Sequence, residues 1–451
     1  MKFKTLLFCL CMPVFLTAMP ANGSLREQKS LLKVNADSIK ETRPLVFQFG
    51  TSKKTKETLI KTALVYDSNT GYGFDSNSAS NVKINSNSFS ITKPTYFSVK
   101  VPEGNYQIEV VLEGSAKESN VTIKAESRRL MLQEFPIKKG QKITQVFNVN
   151  VRNIKIDGQT NISLKDREKE IFNWDDKLTL EFLGETAVQS IKITPNNNVT
   201  VLYLAGDSTV TDQDVEPWAS WGQFITNYFD DTVVVANYAY SGSSLSSFKG
   251  ANRLKKILSL LKKGDYLFVE FGHNDEKIKG EGNGAWGSYS NLLTEFVQSA
   301  KDKGAIPVLV TPTQRRFFNE NGTLKETHGE FPDAMRAVAQ KNNAALIDIT
   351  KMTTELYEAW GDEPSRKAFV QYPAHTFPGQ EKALDDNTHF NSFGANEIAL
   401  CVLKGIRELD IPLKKQIKKE APNYNPKKPN FISNWTLPMS VRFEIAKPDG
   451  N

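Results

Sequence analysis

Cysteine and histidine are scarce in this chain, and each shortage excludes something. Three cysteines and four histidines among 451 residues cannot support a disulfide-framed fold or an imidazole-rich metal centre. Cys9 and Cys11 fall in the apolar N-terminal stretch, so a chain trimmed behind it keeps Cys401 alone and closes no internal disulfide. There is no HExxH pair, and neither a metal nor a cofactor is expected. A GxSxG elbow is missing as well. Charge of one sign is not in excess: the formal net charge is +6, too mild to argue for a nucleic-acid partner. Beyond the N-terminus no run reaches the roughly 18 apolar residues of a membrane span.

What is present begins with MKFKTLLFCLCMPVFLTAMPANG. Lys2 and Lys4 precede an apolar run over residues 6–16, and Ala18, Ala21 and Gly23 offer small side chains to a signal peptidase. Residues 1–23 read as a secretory signal, which puts the protein in the periplasm or outside the cell.

Two textures follow. Over residues 40–195, segments such as TYFSVKVPEGNYQIEVVLEG, KITQVFNVNVR and KLTLEFLG alternate with period two between Gly, Pro, Asn and Ser turns. That pattern predicts half-buried strands and an all-β sandwich without helices of any length. Over residues 199–410 the apolar strings VTVLYLAG, TVVVANYA, DYLFVEFG, AIPVLVTP and AALIDI are unbroken, as strands buried on both faces require. Between them WASWGQFITNYF, SSFKGANRLKKILSLLKKG, YSNLLTEFVQSAKDKG and FPDAMRAVAQKNN are long enough for amphipathic helices. The alternation predicts an α/β domain, a parallel sheet covered on both sides. Residues 411–451, rich in Lys and Pro, read as an extended C-terminal tail with a solvated charge run.

Ligands of parallel sheets bind beyond the carboxyl ends of the strands, and the residues just after these strands are polar or glycine-rich. They are Gly206-Asp207-Ser208, then Tyr240-Ser241-Gly242-Ser243, then Gly272-His273-Asn274-Asp275, then Thr311 to Arg316. Late in the chain, Asp386-Asn387-Thr388-His389 precedes an apparent helix. Acyl transfer needs these types. A serine hydroxyl attacks only when a base takes its proton, the base needs an orienting carboxylate, and the oxyanion needs converging donors. Ser208, His389 and Asp386 fill the first three roles. The N–H groups of Ser208 and Gly242 and the amide of Asn274 supply an oxyanion hole. Taken alone, Ser208 would read as the N-cap of a helix.

These residues resemble the SGNH, or GDSL-like, hydrolase superfamily. Gly206-Asp207-Ser208 is similar to its first block, Gly242 to its second, Gly272-His273-Asn274-Asp275 to its GxND block, and Asp386-Asn387-Thr388-His389 to its DxxH block. LYLAGDSTV, SGSSLSSF, FGHND, TPTQRRF and DDNTHFNSFGA look most like rhamnogalacturonan acetylesterases. The preceding strands, with FQFG and GYGFD, resemble a galactose-binding-like domain. The resemblance implies a three-layer αβα fold with a flavodoxin-like sheet, no metal, and hydrolysis of O-acetyl esters on acetylated pectic polysaccharide or oligosaccharide. One departure is Ser243, where related esterases often carry Arg.

Lys277, Lys279, Arg315 and Arg316 follow the third and fourth strands and are candidates for binding uronate carboxylates. Of the other histidines, His273 is expected to shape its loop, and His328 and His375 to lie at the surface or line the cleft. Gly282 to Gly287 formally fits GxGxxG but opens no βαβ unit, and reads as a cleft-edge loop. The alternatives to a pectin acetylesterase are another SGNH carbohydrate deacetylase acting on xylan, a lipase or thioesterase, and a non-catalytic glycan-binding protein.

Overall fold

The computed structural model describes residues 43–52, 54–115, 119–185 and 187–450. The expected signal at residues 1–23, with Cys9 and Cys11, lies outside the described residues.

The N-terminal half is two facing sheets. One runs in the order Lys142–Val151, Gly104–Glu113, Ala187–Pro195, Leu45–Phe49, Thr58–Ile60. The other runs Tyr72–Phe74, Thr95–Lys100, Lys177–Gly184, Ser119–Ala125, Arg129–Ile137. The period-two pattern explains the pairing: in Gly104–Glu113, Tyr106, Ile108, Val110 and Leu112 are buried, and the residues between them are partly exposed. Between the sheets, Phe49 meets Phe97 edge to face at 5.5 Å, and Phe89 meets Phe74 at 5.2 Å. Edge-to-face aromatic pairs add specific geometry to the area they bury.

Residues 152–176 leave this sandwich. The chain departs after Val151, lays Ile154, Ile156, Ile162, Leu164 and Trp174 against the second half of the molecule, and returns at Lys177.

The second half is a five-stranded parallel sheet, Val233–Asn237, Thr200–Gly206, Tyr266–Glu270, Ile306–Val310, Ala345–Ile347 in spatial order. Every residue of the second and third strands in sequence is buried. Successive side chains serve opposite faces. Leu202 and Leu204 join a core with the helices Ile349–Trp360 and Ser392–Glu408. Val201, Tyr203 and Ala205 join another with Leu245–Gly250, Arg253–Leu260, Ser290–Asp302 and Phe331–Lys341. The result is three layers, αβα. Strand order reverses at Thr200–Gly206, the switch point where such sheets open a crevice.

Three local readings differ from expectation. The stretch WASWGQFITNYF forms only a four-residue helix, Trp221–Phe224, followed by the 3₁₀ turn Ile225–Tyr228. Trp218 and Ala219 are instead spent on the loop beneath the site, where Ala219 pairs with Phe390. The single helix expected between the second and third strands is two, because Asn252 adopts a left-handed conformation between them (φ 62°), as short polar side chains tolerate. The helix Ile349–Trp360 was not anticipated.

The C-terminal segment is extended and irregular, but it lies on the molecule rather than in solvent. Ser440 accepts from buried Lys124 and donates to buried Glu181, and residues 442–444 pair with Glu216. Backbone that would otherwise have only water as a partner finds protein partners along both halves.

Candidate active site

Thr200–Gly206 delivers the chain to the sheet edge, and Gly206 permits the turn that follows. A Cβ there would lie 2.5 Å from Val210 Cγ2 and 3.0 Å from the Glu270 carbonyl. The N–H groups of Val210 and Thr211 then donate back to the Asp207 carbonyl at 3.2 and 3.0 Å. Asp207 Oδ1 accepts from the Thr209 N–H and hydroxyl at 3.0 and 2.9 Å. Ser208 sits at the head of this tight turn. No helix begins here, so the N-cap reading of Ser208 is not what its backbone does; the next helix starts at Trp221. The Ser208 carbonyl is pinned by the Ser220 hydroxyl at 2.6 Å and the Gln213 amide at 2.9 Å.

Ser208 Oγ lies 2.9 Å from His389 Nε2, and His389 Nδ1 lies 2.8 Å from Asp386 Oδ2. All three residues are at most 3 % exposed. The Thr388 and His389 N–H groups donate to Asp386 Oδ1 at 2.7 and 2.8 Å. Burial alone would push the Asp386 carboxyl up; bonding to His389, the imidazole's charge and these two amides outweigh it and hold it well below the usual carboxylate range. Trp218 packs edge-on against His389 with ring centroids 5.7 Å apart. Serine, imidazole and carboxylate thus form one relay across 181 residues of sequence.

Gly242 has φ 76°, a left-handed conformation that favours glycine. Asn274 donates its amide to the Ser243 carbonyl at 3.1 Å, which holds the side chain beside Gly242 and uses one of its two amide hydrogens. Ser243 turns inward and donates to the Gly206 carbonyl at 2.8 Å, so it braces the serine loop instead of reaching for substrate.

The four candidate cations are differently employed. Arg315 bonds Glu276 and Arg316 bonds Asp362, with side chains 12 % and 4 % exposed. Arg316 also donates to Asn387 Oδ1 at 3.2 Å and so braces the loop that carries Asp386 and His389. Lys277 reaches Gly450 O and Asn274 Oδ1, and Lys279 bonds the Glu276 carbonyl. The structure therefore turns both guanidinium groups into internal braces and leaves the two lysines on the rim.

His273 is buried behind the serine turn, its Nδ1 3.6 Å from Asp207, and burial pushes its pKa down to about 4. It stays neutral there. His375 is exposed, whereas His328, expected at the surface or in the cleft, is buried between Thr313 and Glu276.

Sequence reasoning missed the residues that hold the serine loop from the sandwich side. Asp212 Oδ2 accepts from Arg129 Nε at 2.8 Å and Arg152 Nη2 at 3.1 Å, and Arg128 bonds Glu216. These pairs are buried. The only signal was charge inside otherwise apolar strand patterns, RRL at 128–130 and NVNVR at 148–152. Reasoning also missed residues 447–450, which cross the mouth of the site: Lys447 Nζ lies 3.2 Å from Asp386 Oδ2.

A family model described as the GDSL-like Lipase/Acylhydrolase family matches residues 204–395. The chain is 43% identical over 215 residues to rhamnogalacturonan acetylesterase RhgT of Bacillus subtilis (strain 168), covering 47% of this chain and 92% of that protein. It is 36% identical over 222 residues to the probable rhamnogalacturonan acetylesterase YesY of the same bacterium, covering 49% and 98%. A similarity that reaches into both halves is to the uncharacterized esterase YxiM, also of B. subtilis, at 23% identity over 394 residues, 83% of this chain and 94% of that one. The YxiM crystal structure covers 81% of this chain and 98% of its own, with a TM-score of 0.44 at 22% identity.

Proposed function

The chain belongs to the GDSL-like lipase/acylhydrolase family and is a carboxylic ester hydrolase, and from that premise we propose that it removes O-acetyl groups from rhamnogalacturonan. One observation carries the chemistry: the buried relay in which Ser208 Oγ, His389 and Asp386 stand at 2.9 and 2.8 Å. The relatives named rhamnogalacturonan acetylesterase support the substrate.

In this reading His389 Nε2 takes the hydroxyl proton as Ser208 Oγ attacks the acetyl carbonyl. Asp386 fixes the tautomer and faces the imidazolium that forms. The tetrahedral oxyanion turns toward the Ser208 and Gly242 N–H groups and the free N–H of Asn274. Collapse breaks the bond to the sugar oxygen, which takes the proton from His389 and departs as the free hydroxyl, leaving acetyl-Ser208. Water, deprotonated by the same imidazole, then releases acetate and restores the serine.

Acetate release from acetylated rhamnogalacturonan, acetylated xylan and p-nitrophenyl acetate tests the reading. The native chain should deacetylate the pectic polymer in preference to xylan, and Ser208→Ala should lose at least a thousandfold on every ester. Preference for xylan would move the substrate; no acetate from any ester would remove the reaction. Export is part of the proposal, supported by residues 1–23, and N-terminal sequencing of protein recovered outside the cytoplasm checks it.

A further inference from the structure

The segment that crosses the mouth of the site carries a carboxylate to one particular place. Asp449 Oδ2 accepts from Lys165 Nζ at 3.0 Å, and Asp449 Oδ1 accepts from Arg167 Nη1 at 3.4 Å. Lys165 is itself oriented, donating to the Ser241 carbonyl at 2.8 Å and lying 5.1 Å over the Tyr240 ring. This ion pair abuts the candidate oxyanion hole. A Cβ on Gly242 would stand 2.9 Å from Asp449 Cβ and 3.0 Å from Lys165 Nζ. The next residue, Gly450, lies on the hole, since a Cβ there would be 3.1 Å from the Gly242 nitrogen and 2.7 Å from Asn274 Oδ1.

Beside the pair opens a cavity of about 240 Å³ lined by Lys165, Arg167, Trp174, Gln213, Ser241 and Asp449, among others. It offers an aromatic face, hydroxyl and amide groups, carboxylates such as Asp214 and Glu444, and two cations whose present partners the chain itself supplies: Asp449 for both, and for Arg167 also the Lys447 carbonyl at 3.1 Å and Glu444 at 4.0 Å. Lys165, Arg167 and Asp449 have side chains 37 %, 35 % and 41 % exposed. Half-exposed ion pairs of this kind are individually weak and exchange readily with an external carboxylate.

We propose that Lys165 and Arg167 form a subsite for the carboxylate of a hexuronate unit of the substrate, and that Asp449 fills it as an internal stand-in until substrate displaces residues 447–450. The proposal rests on the acetylesterase reading for the identity of the acid sugar. It moves uronate recognition away from Arg315 and Arg316, whose guanidinium groups are bonded inside the protein, to a segment of the N-terminal half. Displacement also frees Asp386 from Lys447 and uncovers Gly242 and Asn274, so binding of the acidic polymer and opening of the site are one event.

Calorimetry on the full chain with D-galacturonate as probe, and D-galactose as its neutral counterpart, reads the subsite without requiring turnover. A tethered carboxylate competes as if present at about millimolar concentration, so Asp449→Asn should bind galacturonate about tenfold or more tightly than the native chain. Adding Arg167→Gln should abolish that gain, and Arg167→Lys in its place should restore part of it. Galactose should gain nothing. Equal galacturonate affinity in all variants, or an equal gain for galactose, would overturn the subsite. A kinetic arm separates this from the reaction itself: Arg167→Gln should lower kcat/KM on acetylated pectic polymer relative to p-nitrophenyl acetate about tenfold, through KM. An equal effect on both esters overturns the assignment to substrate, whereas a chain that binds galacturonate as stated but cleaves no ester overturns the acetylesterase reading alone.

Discussion

Ser208 is held at three points before any substrate arrives, its hydroxyl by His389 and its carbonyl by Ser220 and Gln213. Asn274 is held too, by the Ser243 carbonyl, which makes it a preorganised donor rather than a mobile one. Asn274→Ala should therefore keep the fold and lower kcat about 10²- to 10³-fold with little change in KM, read by steady-state kinetics on p-nitrophenyl acetate beside a thermal melt. A second residue gives a pH test. Burial, and then the charge of Asp207, raise the Glu270 carboxyl to about 8. A folded-state value above the unfolded one of about 4.3 favours the neutral acid in the fold. The stability it confers is complete below the unfolded value and is lost as pH rises toward the folded one. Glu270→Gln keeps the shape: its oxygen can accept from Trp221 and its amide can donate to Thr209, whose own proton goes to Asp207. The variant should flatten the decline in melting temperature between pH 5 and about 9 that this shift imposes on the native chain. An unaltered slope would show that Glu270 does not set it.

At the scale of elements, the loop after the first parallel strand is the piece that pattern reading handled least well. Trp218, Trp221, Phe224, Ile225 and Tyr228 recur at helical spacing over the stretch from Trp218 to Phe229, and the structure keeps Trp221–Phe224 and the turn Ile225–Tyr228 helical while residues 207–220 before them are coil bonded into their surroundings. Tertiary hydrogen bonds replace the helical ones: Asn237 donates to the Val210 carbonyl and to Asp212, and Arg128 to the Gln213, Val215 and Trp218 carbonyls. Buried carbonyls with partners need no helix. Asp212→Asn should leave Arg129 and Arg152 without their shared carboxylate at a buried site, at a cost of about 3–5 kcal/mol. Because the same loop carries Ser208, kcat should fall along with the denaturation midpoint. A loss of stability with kcat intact would uncouple the loop from the reaction.

At the scale of the molecule, the two halves share one seam. Arg128, Arg129 and Arg152 reach from the sandwich into the serine loop, residues 152–176 pack on the parallel sheet, and Ser440 lies against Lys124, Glu181 and Glu216. A sandwich that served only to bind glycan would leave small-ester turnover untouched on removal. This seam predicts otherwise: a chain beginning at residue 196 should lose p-nitrophenyl acetate hydrolysis together with polymer hydrolysis, and should melt at lower temperature. Retention of small-ester activity would assign the N-terminal half to binding alone.

How much was legible in the sequence follows from the range of the interactions involved. Periodicity is local, so the alternating strands and the unbroken buried ones showed in composition, and strand ends located Ser208, Gly242 and Asn274 because a parallel sheet gathers its carboxyl ends on one edge. The pairing of Asp386 with His389 was visible at a spacing of three. Ser208 with His389 was inferred from chemistry, and the distance between them exists only in the fold. The sequence by itself determined two textures, one set of candidate catalytic residues and the side of the sheet on which they stand. Only the tertiary structure decided that Arg315 and Arg316 are braces, that sandwich arginines hold the serine loop, and that Asp449 lies between Lys165 and Arg167. Each of those is a charge choosing among partners far away in sequence, and that choice depends on burial and distance, which residue order does not encode locally.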